Sequence, residues 1–171
     1  MFPPSKTPLR LGLAGLGTVG IGVVKIVQEH AALIEARTGR PVVITAVSAR
    51  DRTKNRDADL SAYAWETDPV ALARRDDVDV FIEVMGGHEG PARDATEAAI
   101  ACGKDVVTAN KALLAHHGQA LALAAEAAGR VIRFEAAVAG GIPVIKALTE
   151  GLAGNKMRRV MGVMNGSCNY I

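Results

Sequence analysis

The chain has 171 residues, enough for one domain or slightly more. Hydrophobic residues at 49% and charged residues at 22% are the balance of a folded globular protein, and aromatics at 4% leave the core to aliphatic side chains. A formal net charge of +2, with lysine and arginine scattered, argues against a nucleic-acid partner, and no apolar run approaches the ~20 residues that cross a bilayer.

Residues 1–8 (MFPPSKTP) form a lead-in whose three prolines oppose regular structure and which holds no apolar signal core. Leu9 to Ala14 is a short apolar strand ending at glycine. From Thr18 to Arg37, apolar residues at 19, 23, 26, 27, 33 and 34 predict one helix, stopped by Gly39. Val42 to Val47 is a β-branched strand, and the polar run Arg50 to Ala58 is a loop. Asp68-Pro69 opens a short helix. Val78 to Val84 is a strand followed by a Gly86-Gly87 turn, and Pro91 to Ala101 a helix closed by Gly103. Asp105 to Thr108 is a strand, and Lys111 to Ala128 an alanine-rich helix closed by Gly129. A strand over Val131–Ala137, a helix over Pro143–Leu152 and a strand over Arg159–Met164 complete the series. Cys102 and Cys168 fit no metal spacing and no disulfide framework, and read as two reduced thiols of a cytoplasmic protein.

Strands alternating with helices imply βαβ units on a mainly parallel sheet, an α/β doubly wound fold with helices on both faces. Residues 9–155 form this domain on the sequence pattern, with 156–171 opening a further region. Such a sheet binds its ligand beyond the carboxyl ends of its strands.

The residues at those ends are the unusual ones. Gly15-Leu16-Gly17-Thr18-Val19-Gly20 is GxGxxG between a strand and a helix, the Rossmann-type dinucleotide turn. The first glycine allows the turn, the second lets a pyrophosphate approach the backbone, and the third brings helix against strand. After the second strand stands Arg50, with Asp51, Arg52 and Lys54 behind it, where an NAD-type cofactor is usually met by an acidic residue. A guanidinium there suits a 2′-phosphate, so the pattern leans to NADP; Asp51 toward a ribose hydroxyl, or a plain solvated loop, stays open. The third strand ends at Glu83, then Val84, Met85, Gly86 and Gly87, where a flat ring or ribose can lie on backbone. The fourth ends at Thr108-Ala109-Asn110-Lys111; Asn110 suits a helix cap, and Lys111 is a cation placed to hold a carboxylate or polarise a carbonyl. The small-residue stretch Glu135 to Ile142 is either a compact turn or an ion site.

GLGTVG at 15–20, EVMGG at 83–87, VVTANKALLA at 106–115, EAAVAGGIPVI at 135–145 and NGSCNYI at 165–171 together resemble the homoserine dehydrogenases, in the same order and over almost the whole chain. Ser167 stands where the family usually has threonine and keeps the hydroxyl. The resemblance implies interconversion of L-homoserine and L-aspartate 4-semialdehyde with NAD or NADP, in the aspartate-derived pathway to threonine, methionine and isoleucine. It implies that Gly15, Leu16, Gly17, Thr18, Val19 and Gly20 hold the pyrophosphate, that Arg50 meets the 2′-phosphate, and that Met85, Gly86, Thr108 and Lys111 lie at the nicotinamide and substrate end, Lys111 positioning substrate. It also implies a sodium ion on the backbone carbonyls of Glu135, Val138, Gly140 and Ile142, and a homo-oligomeric full-length enzyme. The family's main proton-donor lysine lies beyond the segment matching residue 171. The chain is therefore expected to bind cofactor without turning substrate over. Two other readings compete: a dehydrogenase for a related amino acid or semialdehyde, and a non-catalytic dinucleotide-sensing module.

Overall fold

A computed structural model describes residues 7–162. Six parallel strands form one sheet in the order β3-β2-β1-β4-β5-β6. They are β1 (Leu9–Ala14), β2 (Val42–Ser48), β3 (Ala64–Glu66), β4 (Val80–Glu83), β5 (Asp105–Thr108) and β6 (Ile132–Arg133). Successive strands step outward from β1 to β3 on one side, and the chain then returns to add β4 to β6 on the other. The strand order reverses between β1 and β4, the place where an open α/β sheet leaves a crevice. The helices are α1 (Thr18–Glu29), α2 (Ala31–Thr38), α3 (Pro69–Arg74), α4 (Pro91–Ala101), α5 (Lys111–Ala127), α6 (Glu135–Val138) and α7 (Val144–Lys146). The doubly wound α/β expectation is met.

Side-chain alternation divides the core in two. Leu11 and Leu13 of β1 and Ile82 of β4 face Val24 of α1. Ala14, Ala46, Phe81 and Val106 face the other way, against α3, α4 and α5 through Leu72, Ala95, Ala99, Leu113 and Leu121. Alanine recurs on the second face because helices lie close to the sheet there, as the low aromatic content requires. In β2 both Ile44 and Val47 join the α1 face, three residues apart. The register explains this: Leu11 pairs with Ile44 and Gly12 with Ala46, so Thr45 is an extra residue. Its hydroxyl donates to the carbonyl of Asp77 at 2.8 Å, which satisfies a polar group that the bulge turns inward.

Local signals were accurate where chemistry is local. Asp68 accepts from the Val70 N–H with Pro69 in the first turn of α3, and Asn110 accepts from the Leu113 N–H at the start of α5. Gly39, Gly103 and Gly129 take positive φ at helix ends, as expected of C-terminal glycines.

Four expectations are corrected. The helix expected over Thr18–Arg37 breaks at His30 (φ −114°, ψ 19°), because the buried stripe of α1 is spent: α2 buries no residue, and Leu33 is exposed. The strand expected over Val131–Ala137 is only Ile132–Arg133, because β5 offers it two partners, Val106 and Val107, and the following Glu-Ala-Ala-Val winds into α6. The helix expected over Pro143–Leu152 is one turn, α7, then a π-helical turn at Ala147–Gly151; neither buries a residue, so no packing imposes regular α geometry. Over 159–162 the expected strand Arg159–Met164 is absent; its remainder, Cys168 and Asn165–Ile171 lie outside the described residues. The edge strand β3, three residues long, was not foreseen.

Candidate dinucleotide site

Beyond the carboxyl ends of β1, β2 and β4 lies a cleft of about 760 Å³, lined by the glycine turn, by Ser48 to Asp51 with Lys54 and Arg56, and by Val84 to Gly86. Its floor is the GxGxxG turn, whose three glycines do different work. Gly15 has φ +103°, and a Cβ there would lie 2.6 Å from the Val84 carbonyl oxygen. A Cβ on Gly20 would collide with the carbonyl oxygen of Gly15. A Cβ on Gly17 would meet nothing within 4 Å, so packing within the described residues does not require glycine there. Gly17 is also the N-cap of α1, with no side-chain cap and no acidic residue in the first turn. The N–H groups of Thr18, Val19 and Gly20 precede the first intrahelical bond, from Ile21 to Gly17. They form, with the helix dipole, an anion-binding end.

The loop after β2 supplies cations. Arg50 is exposed and lines the cleft, as do Asp51 and Lys54. One oxygen of Asp51 accepts from the Thr53 N–H (2.8 Å), the Thr53 hydroxyl (2.7 Å) and the Lys54 N–H (3.2 Å). The Thr53 hydroxyl, foremost, holds that carboxyl below the usual range. Asp51 thus shapes its own loop with Oδ1 and leaves Oδ2 without a hydrogen bond among the described residues. Arg56, in sequence one charge of a polar run, donates to the carbonyls of Leu16, Lys54 and Asp51.

At the end of β4 the organising group is Glu83, fully buried. Its Oε1 accepts from the N–H groups of Met85 (2.8 Å) and Gly86 (3.3 Å), and its Oε2 from the Thr108 hydroxyl at 2.7 Å. Asn110 joins it, donating to Glu83 Oε1 at 3.4 Å and to the Gly87 carbonyl at 2.5 Å. Gly86 and Gly87 both take positive φ, and this network fixes them. The sequence marks Glu83 only as an acid at the end of an apolar strand; its burial depends on β5 and α5 closing over it. The loop is held again further on, where His88 stacks on His116 with ring centroids 4.1 Å apart, and His117 Nε2 lies 2.8 Å from Glu89.

The structure therefore brings Gly15, Leu16, Gly17, Arg50, Met85 and Gly86 together around one cleft, with Thr18, Val19 and Gly20 on the adjoining first turn of α1. Thr108 is buried with its hydroxyl committed to Glu83, and Lys111 is the exposed first residue of α5; neither lines the cleft. In the Glu135–Ile142 stretch, two of the four carbonyls already accept backbone N–H groups: Glu135 from Ala139 (3.4 Å) and Ile142 from Val144 (2.8 Å). The Glu135 carboxyl caps the next turn through the N–H groups of Ile145 and Lys146, both at 2.9 Å. No cluster of three or more acidic, histidine or cysteine side chains suits a metal among the described residues. A separate groove of about 590 Å³ between α5 and β6, largely aliphatic through Leu114, Ala122, Leu123 and Ile132, shares no residue with the cleft.

Residues 15–135 match the family described as homoserine dehydrogenase, NAD binding domain, and residues 143–171 match that described as homoserine dehydrogenase. The homoserine dehydrogenase of Neisseria gonorrhoeae is 46% identical over 164 residues, covering 96% of this chain and 37% of that protein. That of Corynebacterium glutamicum is 43% identical over 173 residues, covering 99% and 38%. The crystal structure of a homoserine dehydrogenase from Thiobacillus denitrificans superposes with a TM-score of 0.81 at 42% identity, covering 89% of this chain and 35% of that one. The chain thus spans rather more than a third of the length of these relatives. With a parallel sheet, a glycine turn and a cleft at the switch point, the chain belongs to the homoserine dehydrogenase family and carries its NAD-binding domain.

Proposed function

We propose that this chain is the NADP(H)-binding part of an enzyme that interconverts L-homoserine and L-aspartate 4-semialdehyde, within the aspartate-derived pathway to threonine, methionine and isoleucine. The observation that carries the reading is the cleft itself: an open Gly17 at the N-terminus of α1, with Arg50 and Lys54 across the loop from it. The pyrophosphate lies against residues Gly15 to Gly20, and the adenosine 2′-phosphate meets Arg50. The nicotinamide passes Met85 and Gly86 toward the carboxyl end of β5, where Thr108 sets the backbone and Lys111 positions the substrate.

Hydride transfer to an aldehyde leaves an alkoxide that needs a proton or a compensating charge as it forms. Positioning of the two reactants alone supplies about 7–11 kcal/mol in favourable cases. Lys111 supplies a cation, while the main donor and the groups that grip the amine belong to the region beyond this chain. Residues 9–155 act as the cofactor domain, 1–8 as a lead-in and 156–171 as the opening of the substrate and dimer region of a homo-oligomeric, cytoplasmic enzyme. No described helix is long and apolar enough to cross a membrane. A sodium ion on the carbonyls of Glu135, Val138, Gly140 and Ile142 is part of the same proposal. Each carbonyl has a second lone pair, so the two bonds already made there are compatible with it.

Calorimetric titration of the chain with NADPH and NADH tests the reading. Tighter NADPH binding is expected, and Arg50→Ala should weaken it selectively by about 1.5–3 kcal/mol, the loss of one charge-assisted bond. Equal affinity, or tighter NADH, overturns the NADP assignment; no binding of either overturns the site. With aspartate 4-semialdehyde and NADPH these 171 residues are expected to show no turnover. Turnover abolished by Lys111→Ala would instead make Lys111 the essential acid.

A further inference from the structure

The loop between β2 and β3 packs apolar residues on the core only at Ala49 and from Ala58 on, with Leu60 and Tyr63; between 50 and 57 no residue is buried, and Arg56 alone is half-buried. Yet this loop forms one wall of the cleft. Arg56 holds it. Its Nε donates to the Leu16 carbonyl at 3.2 Å, one Nη to the Lys54 carbonyl at 3.1 Å and the other to the Asp51 carbonyl at 2.7 Å. All three acceptors belong to residues that line the cleft, and Leu16 lies 40 positions away, between the first two glycines of the turn. The guanidinium carbon sits 5.4 Å from the ring centroid of Trp65 on β3, so the plane is backed by an aromatic face. No carboxylate pairs with Arg56 among the described residues. Its donors all point at main chain.

We infer that Arg56 is a positioning residue that clasps the 2′-phosphate loop to the pyrophosphate turn, so that Arg50 and Lys54 are set before any ligand arrives. The inference rests on the reading of the cleft as a dinucleotide site. Three carbonyls met by three different nitrogens suit the fixed fork of a guanidinium, which the single nitrogen of an ammonium does not reproduce. A loop ordered in advance spares the ligand the entropy of ordering it. That saving is common to NAD and NADP, because both cross the turn at Leu16 and the wall formed by the loop. Arg50, in contrast, distinguishes the two.

Trp65 is the single tryptophan of the chain and lies against the clasp, so its fluorescence reports both the loop and the ligand. NAD+ and NADP+ are titrated against the unaltered chain and against Arg56→Ala, Arg56→Lys and Arg50→Ala, with melting curves in parallel. Arg56→Ala and Arg56→Lys should each weaken both dinucleotides by about tenfold, with little change in melting, whereas Arg50→Ala weakens NADP+ alone. Arg56→Ala should also change Trp65 emission before ligand is added. Unchanged affinity in Arg56→Ala, a loss confined to NADP+, or full rescue by lysine overturns the clasp while leaving the dinucleotide site standing. An unaltered chain that binds neither dinucleotide overturns the site, and the clasp with it. Hydrogen exchange on the unaltered chain decides the matter if Arg56→Ala does not fold. Thr53 and Lys54 amides protected without ligand support a preset loop, and protection arising only with ligand overturns it.

Discussion

The two ends of the sheet treat charge in opposite ways. At the amino ends of β1, β4 and β5 the cations Arg10, Arg75 and Lys104 each have a partner. Arg10 meets Asp79 at 2.6 Å, Arg75 meets Asp77 at 2.8 Å, and the buried Lys104 places its ammonium 2.6 Å from the carbonyls of Arg75 and Val78. At the carboxyl ends Arg50, Arg52, Lys54 and Lys111 form no ion pair among the described residues, and the first turn of α1 has unpaired N–H groups. One end completes its own electrostatics and holds the fold; the other leaves them to a ligand. On the proposed reading of the cleft, it is unsatisfied positive charge beside backbone donors, and not charge density, that marks the ligand-binding end.

The comparison breaks first at Gly20. An alanine there must displace the turn at Gly15, so Gly20→Ala should cost about 3 kcal/mol in denaturant unfolding and abolish dinucleotide binding in calorimetry. A variant that keeps both would mean that helix and turn are not in contact. At the opposite end, Lys104→Met takes the ammonium from the buried Val78 carbonyl and from the Arg75 carbonyl, which keeps only the long bond from the Val78 N–H, and should cost about 2 kcal/mol of stability while dinucleotide affinity stays unchanged. Loss of affinity at constant stability would show that the two ends are not independent. Gly17→Ala does the reverse. Its added methyl meets open space, so unfolding should move by no more than about 0.5 kcal/mol, but the methyl intrudes where pyrophosphate approaches, and affinity should fall about tenfold.

The smallest effect is that of pH. Hydrogen bonds from Arg10, foremost, hold the Asp79 carboxyl below its ordinary value, and Arg75 does the same for Asp77. A depressed carboxyl contributes stability that is present above its unfolded pKa and lost as pH falls through the folded one. Thermal melting should therefore decline below about pH 4, the ordinary aspartate range, and Asp79→Asn should flatten that limb. A melting temperature independent of pH down to pH 2 would show that the pair contributes nothing.

Much of the site was legible because its chemistry is local. A glycine at a fixed place in a strand-to-helix turn and an asparagine capping the helix it begins each act within a few residues, and an arginine just past a strand lines the cleft there. The alternation of strands and helices, the parallel sheet and the cleft at the carboxyl ends follow from that order, because hydrophobic periodicity and turn chemistry are written in short windows. What the tertiary structure alone decided joins residues far apart. Thr45 becomes a bulge only when β2 is registered against β1. The helix from Thr18 ends at His30 because the sheet offers no further face to bury. Glu83 becomes the centre of a network only when Thr108 and Asn110, 25 and 27 residues on, close over it. Arg56 reads as one more surface charge until folding carries Leu16 to it across 40 residues. Sequence determines what each segment can do alone; burial and hydrogen-bond partners are properties of the pairs that folding brings together.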